Sequence, residues 1–192
     1  MYGLPLAQVD ASIRSRAKAV NYGLAYGMSA YGLATRLEIT ADEAQEFMDA
    51  YFASFPQIKE YLDRQVGRAT ADGYTETILG RRRYIPELQA SNQRVRDMGR
   101  RMALNAPIQG SAADVFKLGM LGVDAALRAS GLECHMLLTV HDELVFEVAE
   151  SLVEDAAALV RREMEGAYEL SVPLRADIGW GPNWAEAVPE GH

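Results

Sequence analysis

Cys134 is the only cysteine among 192 residues. An internal disulfide and a thiolate zinc cluster are therefore excluded. His135 and His192 have no metal-ligand spacing, which argues against a zinc site. A chain this poor in cysteine fits a reducing cytoplasm, the expected location. No apolar run approaches the length of a membrane span, so a membrane partner is not expected. The opening residues MYGLPLAQVD lack the charged-then-apolar order of a signal peptide. There is no internal repeat, low-complexity tract or linker. What remains is a globular composition, 49% hydrophobic and 24% charged, long enough for one domain or two small packed lobes.

Positive charge is scarce overall. The net charge of −8 argues at first against a nucleic-acid partner. Its distribution changes that reading. Residues 1–101 carry 14 basic and 12 acidic residues, whereas residues 102–192 carry 5 and 15. Within 81–101 seven arginines face two acids. Phosphate contacts are local, so a basic patch outweighs the total. The acidic half suits either a metal site or a solvated surface.

The pattern predicts an α+β fold, divided into a helical section (about 11–90) and an α/β section (about 91–188) with a small antiparallel sheet and flanking helices. Residues 12–22 read as a helix that the glycines at 23 and 27 weaken. Thr40 and Glu43 spell a capping box ahead of a helix that Pro56 ends or kinks, with another helix beyond. Tyr74 to Ile85 reads as a hairpin around Gly80 that carries Arg81, Arg82 and Arg83. Residues 91–105 read as a helix stopped near Pro107, and Ser111 with Asp114 opens another that reaches Ser130. Residues 135–140 and 144–148 form two strands joined by His141-Asp142-Glu143. Ser151 and Glu154 suggest a second capping box, for a helix to about Ala167. Leu174 to Ile178 reads as a last strand. The tail GWGPNWAEAVPEGH reads as mostly loop, with Trp180 and Trp184 packed locally.

Three sets of side chains suit chemistry. Arg14, Lys18 and Tyr22, with Tyr26 beyond, recur every fourth residue in RSRAKAVNYGLAYG. Each such step drifts only about 40° around a helix, so they share nearly one stripe. The stripe is either a solvated basic face with a half-buried tyrosine or a grip for a triphosphate. In the second reading arginine supplies a fork of donors, and Lys18 supplies a compact charge and a proton for a leaving pyrophosphate. Asp142 and Glu143 are either a polar turn or carboxylates at a rigid strand end that hold Mg²⁺. Neighbouring strand residues point to opposite faces, so Asp142 is favoured as the metal ligand, and His141 is either a turn residue or a donor to a primer end. Arg101, Asn105 and Gln109 form the third set, although Pro107 argues against one unbroken helix through all three. They are either the polar stripe of an amphipathic helix or donors to the minor groove, where every base pair presents an acceptor. Arg81–Arg83 suit phosphate binding or the solubility of an edge hairpin.

Taken together, these segments resemble the family A DNA polymerases. RSRAKAVNYGLAYG looks like that family's fingers helix, LNAPIQGSAAD like its primer-template segment, and LLTVHDELVFEV like its carboxylate hairpin in the palm. LGRRRYIPEL and GWGPNW look like the family too. The resemblance implies a fingers subdomain at 11–90 and a partial palm at 91–188. It implies Mg²⁺ as cofactor, with primer-template DNA and dNTPs as partners. Arg14 and Lys18 would contact the incoming triphosphate, Tyr22 its sugar and base, and Tyr26 the insertion site. Arg101, Asn105 and Gln109 would contact the nascent duplex and His141 the primer terminus, while Asp142 would bind a catalytic metal with Glu143 beside it.

The chain departs from the family's pattern twice. Many members carry phenylalanine where this chain has Tyr22, so a complete enzyme with this tyrosine is expected to discriminate poorly against dideoxynucleotides. The family's other metal-binding aspartate lies upstream of the fingers helix, in a pattern resembling D-Y-S-Q-I-E. Nothing like it occurs here, and Asp10, the only acid before that helix, has unlike surroundings. Three expectations follow: a working DNA-directed DNA polymerase that transfers dNMP to a primer 3′-hydroxyl by a two-metal mechanism, alone or completed by a second chain that supplies the missing palm strand; a non-catalytic DNA- or nucleotide-binding module; or a truncated product with exposed apolar faces.

Overall fold

The computed structural model describes Pro5 and residues 8–189; parts of the opening and closing segments, His192 among them, lie outside the described residues. Among the described residues the fold is predominantly helical with three two-stranded antiparallel sheets, in keeping with the expected α+β class. The elements are α1 (Ala11–Ala25), α2 (Ala30–Leu37), α3 (Ala41–Ser54), α4 (Pro56–Asp72), β1 (Tyr74–Glu76), β2 (Arg82–Tyr84), α5 (Gln93–Ser130), β3 (Cys134–Val140), β4 (Glu143–Val148), α6 (Val153–Glu165), β5 (Gly179–Trp180) and β6 (Val188–Pro189).

The chain forms two compact units, Met1–Ser111 and Ala112–His192. The division falls inside α5. The first part of α5 belongs with the hairpin before it: the Ile78 N–H donates to Ser111 Oγ at 2.9 Å, and Arg81 donates to the Gly110 carbonyl at 3.0 Å.

In the first unit, Val20 and Leu24 of α1 pack with Leu33, Ala34 and Leu37 of α2 and Ala44 and Tyr51 of α3. Asp10 caps α1, its Oδ1 accepting from the Ile13 N–H at 2.7 Å. This capping role accounts for the one acid ahead of the helix. The expected capping box forms at α3, where Glu43 and Thr40 bond reciprocally. Pro56 occupies the first turn of α4, where its missing N–H costs nothing. The hairpin also forms as expected, with Tyr74 opposite Tyr84. Arg82 bonds Glu76 at 2.6 Å and lies over the Tyr74 ring at 4.4 Å, so this arginine is committed to the hairpin itself. A second cluster joins Ala69, Ile85, Leu88 and Ala103.

The break expected at Pro107 does not occur. α5 runs unbroken from Gln93 to Ser130, and no new helix opens at Ser111. An interior proline costs about 3 kcal/mol. Burial on either side offsets it, through Ala103, Leu104 and Ala106 before the proline and Val123 and Leu127 after it.

In the second unit, Val123 and Leu127 pack with Cys134, Ala156, Leu159 and Val160. The second capping box does not form. α6 opens out of a 3₁₀ turn at Glu150–Leu152 with no side-chain cap, because Ser151 falls inside that turn and the residue at the N-cap position is Leu152, which has no side-chain acceptor. Leu174–Ile178 is not a strand either. It meets no neighbouring ladder, and the Ala176 N–H goes to Glu165 Oε1 at 3.2 Å instead. The tail pairs β5 with β6. Trp180 and Trp184 are exposed rather than packed away, since so short a pair covers no core of its own.

Candidate functional site

The basic stripe is realised on α1. Arg14 and Lys18 are exposed and Tyr22 is 57% exposed, whereas Val20 and Leu24 are buried on the opposite face. The core contact fixes the helix's rotational phase, and the phase delivers the stripe to solvent. Tyr26 caps the C-terminal end of α1, half-buried, its ring stacked on that of Tyr22 with centroids 6.4 Å apart and planes 16° apart. Gly23 does not stop the helix; a Cβ there would stand 2.7 Å from Met28 Cε, so the glycine makes room for that side chain.

Within the first unit, two of the three sets meet. Tyr22, Tyr26 and Arg101 line one hollow of about 460 Å³, with Met28, Ser29 and Arg36 completing its wall. Gly27 makes this possible. At φ 76° it turns the chain out of α1, and a Cβ there would meet Leu104 Cδ1 at 2.7 Å and Arg101 Cγ at 3.7 Å. Sequence reasoning misses Met28, Ser29 and Arg36. The glycines at 23, 27 and 32 are the available signal, but along the chain they read as helix weakeners rather than as points of close approach.

Arg101, Asn105 and Gln109 lie on the one continuous helix α5. Arg101 and Gln109 are exposed, while Asn105 is half-buried and its Oδ1 has no hydrogen-bond partner. An unsatisfied buried acceptor costs about 1–3 kcal/mol, a cost that a donor from water or a ligand would offset.

The second unit holds the acidic set. The turn between β3 and β4 is shorter than expected, because Glu143 already pairs with Val140 as the first residue of β4. His141 takes the left-handed conformation at φ 55°. His141, Asp142 and Glu143 are all exposed. Among the described residues no three His, Cys, Asp or Glu side chains converge to hold a metal ion. Mg²⁺ requires near-octahedral oxygen coordination. Two exposed neighbours, one on the turn and one at the start of β4, do not by themselves fit it.

Residues 1–186 match the family model described as DNA polymerase family A. The chain belongs to this family. It corresponds to the family's C-terminal fingers and palm region. Relatives of this family A chain include DNA polymerase I of Mycobacterium tuberculosis, 54% identical over 97% of the chain, and the thermostable DNA polymerase I of Thermus filiformis, 46% identical over the same share. The chain spans about a fifth of the length of these curated relatives, 21% and 22%. Among solved structures, the POL domain of Pol1 from M. smegmatis, in complex with DNA primer-template and dNTP, superposes with a TM-score of 0.93 at 50% identity. That match covers 97% of this chain and 33% of the other. No helix among the described residues is long and apolar enough to cross a membrane.

Proposed function

We propose that this chain is the nucleotide- and duplex-contacting portion of a family A polymerase, and that it binds primer-template DNA and dNTPs without polymerising them unaided. The observation that carries this reading is the convergence of Tyr22, Tyr26 and Arg101 on one hollow at the end of the Arg14–Lys18 stripe. In this reading Arg14 and Lys18 take the triphosphate, with the Lys18 ammonium beside the leaving pyrophosphate. Tyr22 lies against sugar and base, and Tyr26 lines the insertion site. Arg101, Asn105 and Gln109 donate to minor-groove acceptors. His141 meets the primer end.

The reaction to which the chain contributes is attack of a primer 3′-hydroxyl on the α-phosphate of a dNTP, the nucleotidyl transfer of the whole polymerase. That chemistry calls for Mg²⁺, which stabilises developing charge when bound. Asp142 and Glu143 are contributors to a metal site that the described residues do not complete, so no catalytic step is assigned to this chain alone. A further polypeptide that adds palm structure fits the second unit. Its two-stranded sheet leaves Leu137 and Leu138 exposed, and Leu121 of α5 is 62% exposed.

Fluorescence anisotropy on a labelled primer-template, across a salt series, tests the binding. The expected result is affinity that falls steeply with salt. Primer extension with Mg²⁺ and dNTPs on the same preparation is expected to give no product. Extension by the purified chain would overturn the non-catalytic half of the reading, and absence of binding at low salt would overturn the other half.

A further inference from the structure

The β1–β2 hairpin is fastened to α5 at the turn that contains Pro107. Two polar contacts cross between them, and a third within α5 holds the serine that receives one of them. The Ile78 N–H donates to Ser111 Oγ at 2.9 Å, the Ser111 hydroxyl donates to the Pro107 carbonyl, and an Arg81 guanidinium N–H donates to the Gly110 carbonyl at 3.0 Å. Shape reinforces them, since a Cβ on Gly110 would stand 2.7 Å from the Thr77 methyl. The bare glycine lets the hairpin tip lie against the helix.

The place of this fastening matters. Pro107 cannot donate to the Ala103 carbonyl, so the helix lacks one rung here and is locally free to bend. Gln109 lies between the proline and the serine, with its side chain in solvent. Asn105 lies one turn earlier. The contacts therefore brace α5 just beyond Gln109, and Ser111 ties them back to the carbonyl of Pro107, which lies between the two amides assigned to the minor groove.

We propose that Ser111 is a positioning residue: its hydroxyl locks the hairpin tip to the proline-containing turn of α5, and this fixes the direction in which Gln109 presents its amide to the duplex. Arg81 acts in the same clamp. The proposal rests on the minor-groove reading of Gln109 and Asn105 given above.

The test compares two primer-templates, one natural and one with a 3-deazapurine at the primer terminus, which lacks the N3 acceptor. Wild-type chain is expected to bind the 3-deaza duplex roughly tenfold more weakly, the worth of one well-formed base contact. Ser111→Ala is expected to bind both duplexes within about threefold of each other, since a misaimed amide gains little from the acceptor. Ser111→Thr, which keeps the hydroxyl, is expected to restore most of the wild-type ratio. A Ser111→Ala ratio that matches wild type overturns the clamp while leaving the minor-groove reading intact. A wild-type chain that binds both duplexes equally overturns the minor-groove reading and the clamp's role with it. Should Ser111→Ala fail to fold, Ser111→Cys replaces the hydroxyl with a weakly bonding thiol of similar size, and a wild-type ratio there overturns the proposal equally.

Discussion

The helix that carries Arg14, Lys18 and Tyr22 and the turn that carries His141, Asp142 and Glu143 both show polar side chains to solvent, but they are held differently. α1 is anchored from behind, with Val20 and Leu24 at 0% and 1% exposure in a core shared with α2 and α3. Its stripe meets Arg101 in a hollow built wholly within the first unit. Among the described residues, the acidic turn joins two strands of a sheet that has no third strand, and no three metal-binding side chains converge there. A site finished by its own core is thus set against a site that waits on further structure. The first is expected to bind on its own account; the second is not expected to act alone.

The largest effect should come from breaking the anchor. Leu24→Ala is expected to cost about 3 kcal/mol in denaturant unfolding, as for other fully buried leucines. Asp142→Asn, on the exposed turn, should stay within about 0.5 kcal/mol of the parent. Equal losses would erase the contrast. Next, Arg14→Ala and Lys18→Ala are each expected to weaken dNTP binding by roughly tenfold, measured by calorimetry, because each removes a charge-assisted contact to phosphate. Glu143→Gln should leave that affinity unchanged.

A smaller effect tests how α1 is held. The Tyr51 phenol donates to Asn21 Oδ1 at 2.5 Å, one residue before Tyr22. Burial pushes the phenol's pKa up, so it stays a donor through the neutral range. Tyr51→Phe is expected to cost about 1 kcal/mol of stability, the net worth of one hydrogen bond. The smallest effect concerns Glu43. The backbone N–H and then the hydroxyl of Thr40 hold its carboxyl below the ordinary value of 4.5. The folded state therefore binds fewer protons than the unfolded one. The contribution is present above that ordinary value and fades as pH falls through the lowered folded one. Acidification through this window should thus narrow the stability difference between the parent and Glu43→Gln, read as denaturation midpoints.

Local rules account for much of the first unit. The Thr40–Glu43 box, the Pro56 boundary and the Gly80 hairpin are legible in the residues themselves, because they rest on local hydrogen bonding and φ, and each forms where expected. The four-residue spacing of Arg14, Lys18 and Tyr22 likewise becomes one exposed stripe. The misses share a cause. Pro107 reads as a stop, Ser151 as a cap and Leu174–Ile178 as a strand. In each case the surroundings override the local rule: helix α5 continues through Pro107, a 3₁₀ turn takes in Ser151, and the Ala176 N–H goes to Glu165 rather than to a ladder. The meeting of Arg101 with Tyr22 and Tyr26 is not legible either, because it depends on a glycine accepting φ 76° beside Leu104.

The amino-acid sequence by itself determined the family, the helical periodicity of the first unit and which side chains carry charge to the surface, since those follow from residue identity and spacing along one element. Only the tertiary structure decided that α5 continues through a proline, that the hairpin braces it there, and that the hollow gathers residues from α1 and α5. Those outcomes turn on burial and on approaches between segments far apart in the chain, and pairwise contact energies of that kind are not written in any local stretch.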